Sequence, residues 1–196
     1  MSIAVQSPNA NVKTTLKKTS RAIKITGNPK IFLIGMPGAG KTYWAEKLRS
    51  TTKIPSYDLD AIVEVMEERA IKDIFAEDGE EYFRKAETKM LRLFSDKKQF
   101  IVATGGGTPC HENNMQWMNK MGTTIWIDEP LNVLKQRLLN SEVNRPLLPG
   151  KNEAELHKSL EVLLNERSNF YALAKVKLDP TQLTENNLIE IIQRHA

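Results

Sequence analysis

One octapeptide narrows the possible folds of this chain more than any other feature. Residues 35–42 read Gly-Met-Pro-Gly-Ala-Gly-Lys-Thr and match G-x-x-x-x-G-K-[ST] at every fixed position. The run Lys30-Ile31-Phe32-Leu33-Ile34 before it has the character of a buried parallel strand, and Thr42 to Leu48 after it reads as a helix. Strand, glycine-rich loop and helix in that order form an anion cradle. Gly35, Gly38 and Gly40 let successive N–H groups turn inward, and the helix N-terminus adds its partial positive charge. Lys41 supplies a point charge for β- and γ-phosphates, and the Thr42 hydroxyl is placed to ligate Mg²⁺. A chance glycine-rich turn would not need all three parts, so the segment is read as a site for a nucleoside triphosphate.

The rest of the chain repeats the strand-then-helix rhythm. Short apolar runs at 54–58, 99–103, 123–127 and 174–178 alternate with helical patterns. The helical patterns are Leu59–Ala70, with Ile62, Val63, Val65 and Met66 as an apolar side, a turn at Ile71–Phe75, and Glu80–Phe94, with Phe83, Met90, Leu91 and Phe94 inward. They continue with Asn113–Met121, a helix begun by Pro130, Glu153–Ala174 and Thr184–His195. Five strands separated by helices predict a three-layer α/β/α fold around a parallel sheet. The polar stretch from Asn140 to Asn152, with two prolines and a glycine, reads as a loop.

Charge is informative only when divided. Of 28 basic residues six lie in the first thirty positions, where no acid occurs; the other 166 residues carry 22 basic against 24 acidic side chains, a net of −2. The overall +4 therefore comes from the tail, and nucleic acid is set aside as a partner. Residues 1–27 read as a disordered basic extension, with an organelle transit peptide as the alternative, and 28–196 as one domain. No apolar stretch approaches membrane-spanning length. Cys110, the only cysteine, rules out an internal disulfide, fits a reducing compartment, and is expected as a small buried residue.

Four further constellations carry possible chemistry. Asp58 and Asp60 end the second strand, at the sheet edge where α/β folds bind ligands. One could hold Mg²⁺ through water and the other take a proton, or Asp60 could serve only as a helix N-cap. Gly105-Gly106-Gly107 follows the third strand, and three glycines in a row imply a close approach by something. Arg84 and Glu87 lie at i, i+3, which by itself suggests a solvated ion pair worth a few tenths of a kcal/mol (~0.3). Arg145 in the 140–152 loop suits a lid over phosphate, or an ordinary surface loop, and Arg167 has the same ambiguity.

In order, Gly35–Thr42, Asp58-Leu59-Asp60, Gly79–Glu87, Gly105–Gly107, Arg145-Pro146-Leu147-Leu148 and Arg167-Ser168-Asn169-Phe170-Tyr171 resemble the shikimate kinase family, within the nucleoside-monophosphate-kinase-like group of P-loop proteins. The resemblance runs from about Ile31 to the C-terminus. It implies the sheet order 2-3-1-4-5, a mobile lid near 140–152, and ATP- and Mg²⁺-dependent phosphorylation of the 3-hydroxyl of shikimate in aromatic amino-acid synthesis. It implies Asp60, Lys41 and Arg145 as catalytic residues, and ATP contacts from Gly38, Ala39, Gly40, Lys41, Thr42, Arg137 (near adenine) and Arg145. For shikimate it implies Asp60, Arg84, Gly105, Gly106, Gly107 and Arg167; for the metal, Thr42 directly and Asp58 through water. A cytoplasmic monomer without nucleic-acid or membrane partners is the accompanying expectation. The rivals are a gluconate-type kinase, disfavoured by the Arg84–Arg167 pair with the triple glycine, a nucleoside monophosphate kinase, disfavoured by an acceptor side with one carboxylate-sized set of cations and no evident base-reading pocket, and a non-catalytic sensor, disfavoured by intact Lys41, Thr42, Asp58 and Asp60.

Overall fold

A computed structural model of the chain describes residues 23, 25–141 and 152–195. Residues 142–151 of the loop expected at 140–152, Arg145 among them, and nearly all of the basic N-terminal extension lie outside the described residues. Five strands form one sheet: β1 (Lys30–Ile34), β2 (Ser56–Asp58), β3 (Phe100–Ala103), β4 (Thr123–Ile127) and β5 (Val176–Leu178). Their order is β2-β3-β1-β4-β5, and every neighbouring pair is parallel.

The continuous apolar runs have a direct cause. Successive strand residues point to opposite faces, yet Ile31, Phe32, Leu33 and Ile34 are all 0% exposed, so helices must cover both sides. Phe32 meets Phe100 and Trp117 edge-on, with ring centroids 5.1 and 5.9 Å apart. The helices are α1 (Lys41–Thr52), α2 (Leu59–Glu67), α3 (Ile71–Glu77), α4 (Gly79–Arg92), α5 (Asn114–Met121), α6 (Leu131–Leu139), α7 (Glu153–Tyr171) and α8 (Glu185–Arg194). Gly79 joins α3 to α4 at φ +80 with no atom within 4 Å of where a Cβ would sit, so it serves the backbone turn rather than packing.

Two expectations about helix faces need correction. In α2 the buried residues are Leu59 and Val63, whereas Val65 and Met66 are 75% and 56% exposed. Val65 lies about 200° round the helix from Val63, and Met66 falls in the last turn, just before Glu68 redirects the chain at φ 54. In α4, Phe83, Met90 and Leu91 are buried as expected, and Phe94 is buried in the 3-10 turn that follows, but Arg84 and Glu87 are buried with them. The solvated ion pair is therefore an interior one.

The strand order brings together what the chain separates. With β1 central and β3 beside it, the carboxyl ends of β2, β3 and β1 deliver Asp58, the triple glycine and the phosphate loop to one stretch of the sheet edge.

Candidate active site

The phosphate loop leaves β1 and enters α1 through Gly38 and Gly40 at φ +83 and +85, conformations that L side chains rarely adopt. Lys41 is buried, and its Nζ donates to the Gly35 and Met36 carbonyls at 2.9 and 3.0 Å, which folds the side chain back along its own loop. Ala39 is fully buried beneath it. No side chain caps α1, whereas Asp58, Asn152 and Thr184 cap α2, α7 and α8. Gly40, Lys41 and Thr42 at the start of α1 line the cavity, where a helix N-terminus favours an anion.

Thr42 donates its hydroxyl to Asp58 Oδ2 at 2.6 Å. The other oxygen of Asp58 accepts from the Asp60 and Ala61 amides at 3.0 and 3.4 Å. Asp58 is therefore the N-cap of α2, the position the sequence offered to Asp60. Asp60 lines the cavity.

Arg84 and Arg167 form the far wall, 6% and 7% exposed. Arg84 donates to Glu87 Oε2 at 2.9 Å, and through Nε and Nη2 to Glu80 Oε1 at 3.1 and 2.9 Å. Burial works against its charge, but Glu87 and Glu80 outweigh that and hold the guanidinium above its ordinary pKa. Glu87, fully buried, also accepts from the Thr108 hydroxyl.

The triple glycine explains itself once these side chains are in place. None of the three sits at positive φ, so backbone conformation is not the reason. A Cβ on Gly105 would collide first with Glu87 Oε1 and lie 2.8 Å from Asp60 Oδ1; on Gly106, 2.9 Å from Pro37 Cδ and 3.0 Å from Arg167 Nη1; on Gly107, 2.6 Å from Arg84 Cζ. Gly105 and Gly107 thus make room for the two members of the Arg84–Glu87 pair, and Gly106 for Pro37 and Arg167.

That cavity has a volume of about 660 Å³ and is lined by Gly38, Gly40, Lys41, Thr42, Asp58, Asp60, Arg84, the three glycines and Arg167. Arg137 stands outside its lining, donating to the Gly38 carbonyl at 3.1 Å and to the buried Glu129 at 3.0 Å. Arg145 is outside the described residues. Cys110 is half-buried rather than buried, and burial pushes its thiol up to about 11, so it stays protonated at neutral pH.

Sequence reasoning gave no role to Glu87, Thr108 or Lys72. Glu87 carried a usable signal, its i+3 spacing from Arg84. Thr108 and the cavity-lining Lys72 carried none.

A phosphate loop, an aspartate and two buried guanidinium groups around one cavity, on a parallel 2-3-1-4-5 sheet, define a P-loop kinase for a small acceptor. The sequence model of the family described as shikimate kinase matches residues 37–195. A shikimate kinase from Parabacteroides distasonis is 36% identical over 163 residues, 83% of this chain and 94% of that one. The solved shikimate kinase of Bacteroides thetaiotaomicron superposes with a TM-score of 0.75 at 32% identity, covering 85% of this chain and 94% of that one. Shikimate kinase from Acinetobacter baumannii, solved in complex with shikimate, gives 0.75 at 29% identity over 85% and 92%. The chain belongs to the shikimate kinase family. Among the described residues no helix is long and apolar enough to cross a membrane.

Proposed function

We propose that this chain transfers the γ-phosphoryl group of ATP to the 3-hydroxyl of shikimate, giving shikimate 3-phosphate and ADP for aromatic amino-acid synthesis. The observation that carries the reading is the placement of buried Arg84 and Arg167 across the triple glycine, in the same cavity as Asp60 and the phosphate loop. A carboxylic acid bearing a reactive hydroxyl needs a fixed cationic fork at one end and a proton acceptor at the other. Guanidinium groups match a carboxylate in geometry as well as charge. The complex of the Acinetobacter baumannii relative with shikimate supports the same acceptor.

Arg84 and Arg167 hold the shikimate carboxylate, and the backbone of Gly105–Gly107 sets the ring height. That turns the 3-hydroxyl toward Asp60, which takes its proton as the oxygen bonds to the γ-phosphorus and the bond to the β–γ bridging oxygen breaks. Lys41, with Arg145, neutralises charge on the transferring group, which is most of what a loose phosphoryl transition state asks of a protein. Gly38, Ala39, Gly40 and Thr42 contribute backbone N–H groups to the phosphates, and Arg137, beside Gly38, completes the nucleotide side.

The donor set fits Mg²⁺. A hydroxyl and a carboxylate oxygen 2.6 Å apart at the cavity are hard ligands of the kind this ion takes. Among the described residues no cluster of three or more His, Cys, Asp or Glu forms a protein cage, which accords with an ion held mainly by phosphates and water. Thr42 would ligate it directly and Asp58 through water, and the ion would supply charge neutralisation between the β- and γ-phosphates. The working unit in this reading is a monomer. The single protonated thiol supports a reducing compartment such as the cytoplasm.

Incubation with ATP, Mg²⁺ and shikimate, read by phosphorus–proton correlation NMR, should show one product with phosphate on the 3-oxygen. Withdrawing Mg²⁺ should abolish it. Phosphate on another hydroxyl would overturn the orientation assigned to Arg84 and Arg167.

A further inference from the structure

Three consecutive glycines are the most freely moving backbone a chain can place at a binding site, so something must hold their peptide planes. Two of the three carbonyls are held by the local turn. Gly105 accepts from the Thr108 amide and hydroxyl at 3.3 and 3.0 Å, and Gly107 from the Cys110 amide at 2.9 Å. The middle carbonyl is different. Gly106 accepts from the Tyr171 hydroxyl at 2.6 Å, across 65 positions of sequence.

Tyr171 is the last residue of α7, one turn beyond Arg167, and is fully buried. Its ring packs against Trp126 with centroids 5.7 Å apart, and its hydroxyl also lies 3.8 Å from Met36 Sδ in the phosphate loop. Gly106 is meanwhile wedged between Pro37 and Arg167. The bond therefore joins the helix that carries one acceptor arginine to the backbone beneath the acceptor. Burial raises the phenol's pKa, so the hydroxyl keeps its proton and remains a donor across the physiological range.

We infer that Tyr171 is a positioning residue for the acceptor: its hydroxyl fixes the middle peptide of the triple glycine against α7 and so sets the distance between Arg167 and the Gly105–Gly107 backbone. The inference rests on the acceptor reading given above. A role in packing alone would follow the aromatic ring; a positioning role follows the oxygen atom.

Tyr171→Phe removes that oxygen and keeps the ring. The expected result is a rise of about tenfold in the shikimate KM and in the calorimetric shikimate Kd, with the ATP KM within about twofold of wild type. In an Arg167→Lys background the same change should add less than about twofold, because both act through one contact set. Trp126→Phe loosens the same packing without touching the hydroxyl, and should lower the Tm while leaving the shikimate KM unchanged. An unchanged shikimate KM in Tyr171→Phe, whatever its Tm, would reduce Tyr171 to packing. An equal rise in both KM values would also overturn the inference, by placing the effect on the phosphate loop. Wild-type protein that fails to phosphorylate shikimate would instead count against the acceptor reading, and is scored separately in the same assay.

Discussion

Asp60→Asn is expected to lower kcat for transfer to shikimate by about 10²–10⁴-fold, the range a positioned general base contributes. The KM values for ATP and shikimate should stay within about threefold of wild type, because the amide keeps the size and hydrogen-bonding reach of the carboxylate. The structure makes this a clean substitution. Asp58, not Asp60, caps α2 and receives the Thr42 hydroxyl, so the exchange removes neither the cap nor the Thr42–Asp58 hydrogen bond. Steady-state kinetics with both substrates varied reads the result. Near-full activity would remove Asp60 from the base role and leave the acceptor hydroxyl to lose its proton to solvent or to the phosphate itself.

Arg84→Ala should cost stability and acceptor binding together. Glu87 is 0% exposed and would lose the guanidinium that compensates its charge. Stranding one member of a buried pair costs about 3–5 kcal/mol; for a domain of this size the Tm should fall by roughly 10 °C. The shikimate kcat/KM should fall by about 10²-fold or more, since a charged hydrogen-bonded contact to the carboxylate is lost. The two effects can be separated. Arg84→Met combined with Glu87→Leu fills the space with apolar volume and removes both charges, so it should recover much of the Tm without recovering shikimate turnover. Differential scanning calorimetry beside acceptor kinetics reports both. A loss of only a few tenths of a kcal/mol (~0.3) in Arg84→Ala would mean the pair behaves as a surface contact.

The contrast between that expectation and the surface pair suggested by spacing shows what a single sequence can convey. The strands were legible because burial on both faces leaves an uninterrupted apolar run, and each of the five lies within the segment expected for it. The phosphate loop was legible because its chemistry demands fixed residue types at fixed spacing. Strand order was not readable from spacing; it came with the family resemblance, and the parallel 2-3-1-4-5 sheet agrees with it.

Burial of polar residues was the least legible property. Arg84 and Glu87 have the pattern of an exposed i, i+3 pair, and what draws them inward is the glycine loop and Thr108, over twenty residues away. Asp60, just before Ala61, was the residue with the look of a cap, but the backbone makes Asp58 the residue that precedes the first helical turn. Val65 and Met66 misled in the opposite sense, as apolar residues that are exposed. The triple glycine was rightly read as a close approach, but its cause, the Arg84–Glu87 pair with Asp60, Pro37 and Arg167 packed against three successive peptides, exists only in three dimensions.

The central claim is that two buried arginines and the glycine loop select a carboxylate-bearing hydroxyl compound as acceptor. Its most direct test is ATP-dependent phosphoryl transfer measured in parallel on shikimate, shikimate methyl ester, gluconate and AMP. Turnover on shikimate, with the ester, gluconate and AMP each slower by about 10²-fold or more, is the predicted result. Comparable turnover on the ester, or faster turnover on gluconate or AMP, would leave the P-loop kinase in place and contradict the acceptor site described for Arg84 and Arg167.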